Sequence, residues 1–152
     1  MNHIHVTLCT LFDYFGVLNV RNTVIKEIEN SDFFYPSNFL ELVQYIIFPN
    51  SFVCGIKDEN KLVAFSSVTV THGVYEIEDT AVLPNYRGVG MQKEMWNYII
   101  TYIPEDSLLI CTIHPLNKHS LSNALSLGFK IVKRENMYNS ERYVLEYRKP
   151  SK

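Results

Sequence analysis

The sequence between Glu78 and Met95, EDTAVLPNYRGVGMQKEM, joins the end of a predicted strand to the start of a predicted helix. The connecting turn carries Arg87, Gly88 and Gly90. Glycine allows backbone conformations and close approaches that a Cβ would block. The first N–H groups of a helix lack intrahelical partners, and the helix dipole adds partial positive charge there. The turn is therefore suited to a phosphate or pyrophosphate, and Arg87 adds forked donors.

On these residues alone, a tight turn with a solvated arginine explains the pattern better than a binding site does. The spacing of the glycines matches neither the Walker A loop nor the G-x-G-x-x-G fingerprint. Neither a P-loop nor a Rossmann site is therefore favoured. Evidence from other segments is needed to distinguish a structural turn from a phosphate-binding site.

The composition is that of one globular domain spanning residues 1–152. Hydrophobic residues make up 47% of the chain and aromatic residues 13%, far from the composition of disordered chains. A chain of this length can bury a substantial core. Because the formal net charge is only −2, nucleic acid is not an expected partner.

The three cysteines, Cys9, Cys54 and Cys111, are scattered without a C-x-x-C spacing. Such a set is typical of a reducing compartment and of buried apolar thiols. No charged segment followed by an apolar run opens the sequence, and no apolar run is long enough to cross a bilayer. We therefore expect a cytoplasmic protein without a membrane partner.

The hydrophobic pattern predicts strands separated by helices. The predicted strands are rich in β-branched and aromatic residues, and they cover residues 4–9, 51–56, 61–70, 74–82, 107–114, 129–136 and 142–149. One strand–helix–strand crossover interrupts an otherwise antiparallel order. This order predicts the α+β (mixed α/β) class, with helices packed on the sheet.

Two helical regions precede the second predicted strand. Residues 10–30 have mixed helical periodicity and predict one or two helices. Ser37 is placed to cap the next helix, in which Leu40, Val43 and Ile47 have helical spacing.

A third helix is predicted to begin at Gly90 and to stop before Pro104. One of its faces carries an apolar residue at every fourth position, namely Met91, Met95, Ile99 and Ile103. A short helix over residues 120–127 is predicted to end at Gly128, the usual position of a left-handed cap.

The segment AVLPNYRGVGMQ resembles the coenzyme A pyrophosphate motif of the GNAT superfamily of N-acyltransferases, written Q/R-x-x-G-x-G/A. Arg87 matches its first position and Gly90 its fourth. Val82 and Pro84 stand where that family often places a Val and a Pro. Gln92 occupies the sixth position, where the family has Gly or Ala.

A second segment, IHPLNKHSLSNALSLGFKI, is similar to a later block of the same family. Asn117, Ser120, Gly128 and Phe129 match that block. The resemblance covers nearly the whole chain. It implies a mostly antiparallel sheet of six to seven strands flanked by helices and splayed between the fourth and fifth strands.

The resemblance also implies that acetyl-CoA is the acyl donor and that no metal takes part. Backbone N–H groups from Thr80 to Val82 would serve the thioester carbonyl. The residues implied in cofactor binding are Ala81, Val82, Arg87, Gly88, Val89, Gly90, Met91, Gln92, Asn117 and Ser120.

Three carboxylates lie on the predicted strand before the turn and are candidates for the general base. Strand alternation predicts Glu76 and Glu78 on one face with Thr80, and Asp79 on the other face with Ile77. Burial and neighbouring charge in a cleft would raise the pKa of such carboxyls towards working pH. A solvated strand face is the competing interpretation.

Similarity to histone acetyltransferases of the superfamily points to Glu76 as the base. Similarity of the IED run to amino-sugar phosphate acetyltransferases points to Glu78 and Asp79. We rank Glu78 and Glu76 above Asp79. Ala124 stands where many members carry a tyrosine acid, so the resemblance does not support a tyrosine mechanism.

Other polar and aromatic residues are predicted to be structural. His114 and His119 lie near the predicted cleft, but they lack the further ligands that a metal site needs. Tyr138 and Tyr143 are predicted to pack in the last hairpin. The aromatic stretch at residues 31–39 is predicted to pack on the sheet, and a wall of the acceptor pocket is the alternative.

These observations predict an N-acetyltransferase that uses direct attack of a primary amine on acetyl-CoA in a ternary complex. A coenzyme A-binding regulatory or sensor protein is the alternative, and a phosphate-binding structural module ranks last. The acceptor is a small molecule or a peptide. The protein is predicted to be a monomer or a homodimer, in which the last strand pairs at a sheet edge.

Overall fold

The computed structural model describes residues 4–28 and 36–152. In this part of the chain, seven strands and four helices alternate with two short 3₁₀ turns. Their bounds are β1 (Val6–Leu8), a 3₁₀ turn (Leu11–Asp13), α1 (Tyr14–Glu27), α2 (Phe39–Ile47), β2 (Ser51–Asp58), β3 (Lys61–Thr71), β4 (Val74–Val82), a 3₁₀ turn (Pro84–Tyr86), α3 (Met91–Tyr102), β5 (Leu108–Ile113), α4 (Lys118–Ser126), β6 (Lys130–Met137) and β7 (Ser140–Arg148).

The strands form one mixed sheet in the order β1-β2-β3-β4-β5-β7-β6. Every neighbouring pair is antiparallel except β4 and β5, which are parallel. A single parallel pair joined through α3 is the crossover that the sequence predicts. The α+β class, the seven strands and the mostly antiparallel order are therefore confirmed.

The last strand does not lie at a sheet edge, so the prediction that it pairs across a dimer there is wrong. β7 lies between β5 and β6, and β6 is the edge strand. Val144 and Leu145 of β7 are buried, whereas seven of the eight residues of β6 are exposed. β7 takes the interior position because it pairs with β5 on one side and with β6 on the other. Each of the two strands carries four charged residues, so composition alone does not select the edge strand.

The parallel pair is short, because β4 and β5 pair only over Val74–Ile77 and Leu108–Cys111. β4 continues to Val82 and β5 to Ile113 beyond these paired residues. The two strands therefore separate in the middle of the sheet, which confirms the predicted splay.

Two groups of buried side chains hold the helices on opposite faces of the sheet. On one face, α1 and α2 pack through Val17, Val20 and Leu42. On the other face, α3 packs through Met95 and Ile99. The predicted buried face of α3, with an apolar residue at every fourth position, is therefore confirmed. All three cysteines are buried, as the sequence predicts.

α2 differs from its sequence prediction in its cap and in its buried face. Asn38, not Ser37, caps the helix by accepting hydrogen bonds from two backbone N–H groups, and Glu41 completes a capping box. Leu42 is buried, whereas Leu40 and Ile47 are exposed. The segment is apolar on nearly every side, so its spacing does not select one face.

None of the helices within residues 4–28 and 36–152 combines the length and the apolar character needed to cross a membrane. Of the aromatic stretch at residues 31–39, predicted to pack on the sheet or to line a pocket, positions 33–35 lie outside the described residues, and Phe39 is exposed.

Candidate active site

A cavity of about 430 Å³ opens where β4 and β5 separate. Nine of the ten predicted cofactor residues line it, and Val89 does not. The nine are Ala81, Val82, Arg87, Gly88, Gly90, Met91, Gln92, Asn117 and Ser120. Thr80 lines the cavity as well.

Two parts of the wall differ in chemistry. The turn half consists of Val82, Arg87, Gly88, Gly90 and Gln92, together with the start of α4. The carboxylate half consists of Glu41, Tyr45, Glu76, Glu78 and Tyr138, and the buried Arg142 beside Tyr138 also lines the cavity. The turn half lies between β4 and α3, whereas the carboxylate half is formed by residues of α2, β4 and the β6–β7 turn.

The turn half owes its shape to two glycines with left-handed backbone. Gly88 has φ +80° and Gly90 has φ +87°, conformations that side chains rarely adopt. Gly90 is the N-cap residue of α3 and brings no side chain to the first turn. The first N–H groups of a twelve-residue helix therefore face the cavity mouth, and this arrangement suits an anion.

Arg87 is held in this turn by two contacts. Its Nε donates to the backbone carbonyl of Val82 at 3.1 Å. Its Nη2 lies 2.7 Å from the Oε2 atom of Glu27, the last residue of α1. The guanidinium therefore lies at the turn with a carboxylate already beside it.

Gln92, the departure from the family motif, connects α3 to α4. Its Nε2 donates to the Ser120 hydroxyl at 3.2 Å, and its Oε1 accepts from Asn123 Nδ2 at 2.9 Å. Asn117 caps α4 by accepting from the Ser120 backbone N–H. The longer side chain thus links the two helices that flank the turn half.

A β-bulge in β4 brings the carboxylates together. Ser66 of β3 pairs with Thr80, and Val68 pairs with Ile77. Between these pairs, β4 has two residues, Glu78–Asp79, where β3 has one. A bulge of this kind interrupts the strict alternation of side chains along a strand.

Because of the bulge, the predicted division of the two faces is wrong. Ile77 packs in the core cluster of α3, whereas Asp79 contacts Ser37 beside α2. Thr80 accepts a hydrogen bond from the indole of Trp96 on α3 at 2.9 Å. Asp79 therefore does not share a face with Ile77, and Thr80 lies on the α3 side.

Glu78 and Glu76 both line the carboxylate half. Glu78 accepts a hydrogen bond from the Thr69 hydroxyl at 2.7 Å. Burial raises the pKa of Glu78, and the nearby charge of Glu41 adds to this rise against the opposing effect of Thr69. Burial and the charge of Glu78 raise the pKa of Glu76.

Asp79 is 2% exposed and does not line the cavity. It accepts hydrogen bonds from the backbone N–H of Ser37 at 3.2 Å and from the Ser67 hydroxyl at 3.4 Å. Arg21 donates to the carbonyl of the same Ser37 at 2.6 Å. Burial raises the pKa of Asp79 to about 6, although the Ser37 hydrogen bonds oppose the rise. Asp79 therefore anchors the approach to α2.

Three residues of the carboxylate half are absent from the sequence-based candidates: Glu41, Tyr45 and Tyr138. Tyr138, predicted to pack, lines the cavity from the β6–β7 turn, whereas Tyr143 accepts a hydrogen bond from Arg134. Burial raises the pKa of Tyr138, and the charges of Glu78 and Glu76 add to it. Burial raises the pKa of Tyr45 to about 12. The sequence carries no local signal for these positions.

At the predicted tyrosine position of the family, Ala124 is fully buried in α4. His119 lines the cavity and contacts Asn123 at 3.4 Å. Within residues 4–28 and 36–152, no three His, Cys, Asp or Glu side chains form a group that could hold a metal ion.

Several solved structures share this architecture. The ribosomal-protein-S18-alanine N-acetyltransferase from Escherichia coli is 12% identical with a TM-score of 0.82, over 99% of this chain and 96% of that one. A GNAT-family acetyltransferase from Bacillus cereus is 14% identical with a TM-score of 0.80, over 99% of this chain and 100% of that one. No curated protein sequence matches the chain.

The Acetyltransferase (GNAT) family model matches residues 22–129, which include the turn, the bulged strand and α4. The matched segment spans most of the chain and contains all ten cofactor residues implied by the resemblance, nine of which line the cavity. The protein therefore belongs to the GNAT family of acetyltransferases and is an acyltransferase.

Proposed function

We propose that the protein transfers the acetyl group of acetyl-CoA to a primary amine by direct attack within a ternary complex. One observation supports this proposal above all others. A single cavity connects a helix N-terminus that is suited to an anion with two carboxylates whose pKa values are raised by burial.

In this proposal, the turn half binds the donor. The first N–H groups of α3 and the guanidinium of Arg87 bind the pyrophosphate. Gly88 and Gly90 keep the backbone close to it, since a Cβ at either position would project into open space at the mouth. Gln92, Asn117 and Ser120 border the path of the cofactor between α3 and α4. Backbone N–H groups from Thr80 to Val82 serve the thioester carbonyl.

The carboxylate half prepares the acceptor. Glu78 is the first candidate for the general base, because it lines the cavity and its raised pKa brings it closer to neutral pH. Glu76, which also lines the cavity, is second, and Asp79 is last because its buried carboxylate does not line the cavity. The deprotonated amine attacks the carbonyl carbon, the carbon–sulfur bond breaks, and the leaving thiolate takes up a proton. The carboxylates of Glu41, Glu76 and Glu78 favour an acceptor, small molecule or peptide, that carries positive charge, although the buried Arg142 also lines the cavity.

Isothermal titration with acetyl-CoA tests the proposal directly. The wild-type protein is expected to bind saturably, and the Arg87→Ala/Gly90→Glu variant is expected to lose this binding. Gly90→Glu adds a negative side chain at a left-handed position beside the anion site. Arg87→Ala alone is expected to weaken binding about tenfold, the loss of roughly one charge-assisted contact.

Lys133→Ala is the matched control, because Lys133 pairs with Glu135 on the edge strand and lies outside the cavity wall. It is expected to bind acetyl-CoA as the wild type does. Thiol release in the presence of candidate amines then identifies the acceptor class. A folded wild-type protein that does not bind acetyl-CoA would refute the proposal.

A further inference from the structure

The ion pair between Glu27 and Arg87 places an anion where the proposed cofactor needs a cation. The Nη2 atom of Arg87 lies 2.7 Å from the Glu27 Oε2 atom. Both side chains are partly exposed, at 47% for Arg87 and 37% for Glu27. Arg87 lines the cavity and Glu27 does not, so the contact lies beside the cavity wall and is open to a solute.

The second contact of Arg87 limits how far its guanidinium can move when an anion binds. Its Nε donates to the Val82 carbonyl at 3.1 Å, which holds the guanidinium near the turn. An anion bound by α3 and Arg87 must then share the remaining donors with the Glu27 carboxylate or displace it. Carboxylate and phosphate oxygens fit the same forked donor, so the two compete.

We propose that Glu27 is an affinity-setting residue of the cofactor site, which competes with the pyrophosphate for Arg87 and weakens binding of coenzyme A. This inference rests on the proposed function. Its consequence concerns turnover, because the product coenzyme A carries the same pyrophosphate as acetyl-CoA. A built-in competitor keeps the product from being held tightly, and product release limits the rate of many enzymes.

A purely structural role for the same ion pair predicts the opposite sign. If the pair served only to hold α1 against the turn, its removal would loosen the site and weaken the binding of coenzyme A. Competition instead predicts that removal of the carboxylate tightens binding. The direction of the change in Kd therefore separates the two roles.

The experiment is a titration of coenzyme A into the wild-type protein and into the Glu27→Gln and Glu27→Lys variants. Glu27→Gln is expected to lower Kd about two- to fivefold, the range for loss of one exposed charge pair. Glu27→Lys is expected to lower it further. Added salt should reduce both gains, because exposed charges are screened.

Glu105→Gln is the matched control, since it makes the same change in net charge. Glu105 pairs with Lys152 beyond the far end of the twelve-residue α3, about 18 Å from the turn. It is expected to leave Kd unchanged. Thermal unfolding of each variant checks that the fold is retained.

A double-mutant cycle assigns the effect to Arg87. In the Arg87→Ala background, the gain from Glu27→Gln is expected to shrink. An undiminished gain would overturn competition for the guanidinium, and so would an unchanged or raised Kd in Glu27→Gln. Failure of the wild-type protein to bind coenzyme A would refute the proposed function itself, whereas normal wild-type binding without tightening refutes only the role of Glu27.

Discussion

The turn half and the carboxylate half of the cavity are built in different ways. The turn half is formed largely by one segment, and its main groups are backbone N–H groups at the start of α3. The carboxylate half is formed by side chains from α2, β4 and the β6–β7 turn. A site made of backbone needs glycines at fixed places and so leaves a local signature, whereas a site made of side chains depends on the tertiary fold.

The largest expected effect separates the two halves by chemistry. Glu78→Gln keeps the shape of the side chain and removes its basicity, so kcat is expected to fall about 10²- to 10³-fold. The Kd of acetyl-CoA should stay unchanged, because Glu78 lies outside the turn half. Steady-state kinetics and titration measure the two quantities.

The pH dependence sharpens this test. Since the base must be deprotonated, the wild-type rate is expected to fall as pH drops through the raised pKa of Glu78. The Gln variant should lose this limb. Glu141→Gln, an exposed position on β7, is the control. Equal losses of rate and acetyl-CoA affinity in Glu78→Gln would show that the halves are not separable.

The next effect concerns the stability of the bulge. Because burial raises the pKa of Asp79 to about 6, the native state binds its proton more tightly than the unfolded chain does. The contribution of Asp79 to the free energy of unfolding therefore falls as pH rises from about 4 to about 6. Asp79→Asn removes this decline and keeps an oxygen for the Ser37 N–H.

The difference in unfolding free energy between Asp79→Asn and wild type is expected to rise by about 2 to 3 kcal/mol from pH 4 to pH 7. Urea unfolding at several pH values measures it. Glu135→Gln, at an exposed position on the edge strand, is the control variant. A difference that is constant with pH would contradict a buried, ionising Asp79.

The smallest effect is expected for substitution of the two asparagines that cap a helix beside each half of the cavity. Asn38 caps α2 and Asn117 caps α4. Replacing either by Ala is expected to cost about 1 kcal/mol of stability. Only Asn117→Ala should also weaken the binding of acetyl-CoA, because Asn117 lines the cavity and Asn38 does not. If both variants bound acetyl-CoA more weakly to the same extent, the affinity would depend on the overall stability of the protein and not on Asn117 itself.

The same contrast explains what the sequence predicts. The turn, the face of α3 and the left-handed Gly90 follow from local rules of spacing, capping and backbone conformation. The order of strands follows from the alternation of apolar segments with one crossover. These features depend on residues that are neighbours in the chain.

Features that depend on distant partners escape sequence reasoning. The bulge in β4 arises from register with β3, and it reverses the facing expected for Asp79. The buried face of α2 is selected by packing, since most of its residues are apolar. Tyr138 reaches the cavity only because β7 lies beside β5 and carries the hairpin turn towards β4.

The interior position of β7 also constrains how the protein is made. Strands leave the ribosome in chain order, so β1 to β4 can pair before the remainder is synthesised. β5 then joins β4 through only four residue pairs, and its other edge stays open until Ser140–Arg148 emerges. During that interval, an apolar strand edge is exposed to other nascent chains and to chaperones. The sheet around the cleft between β4 and β5 is thus complete only after β7 has been translated.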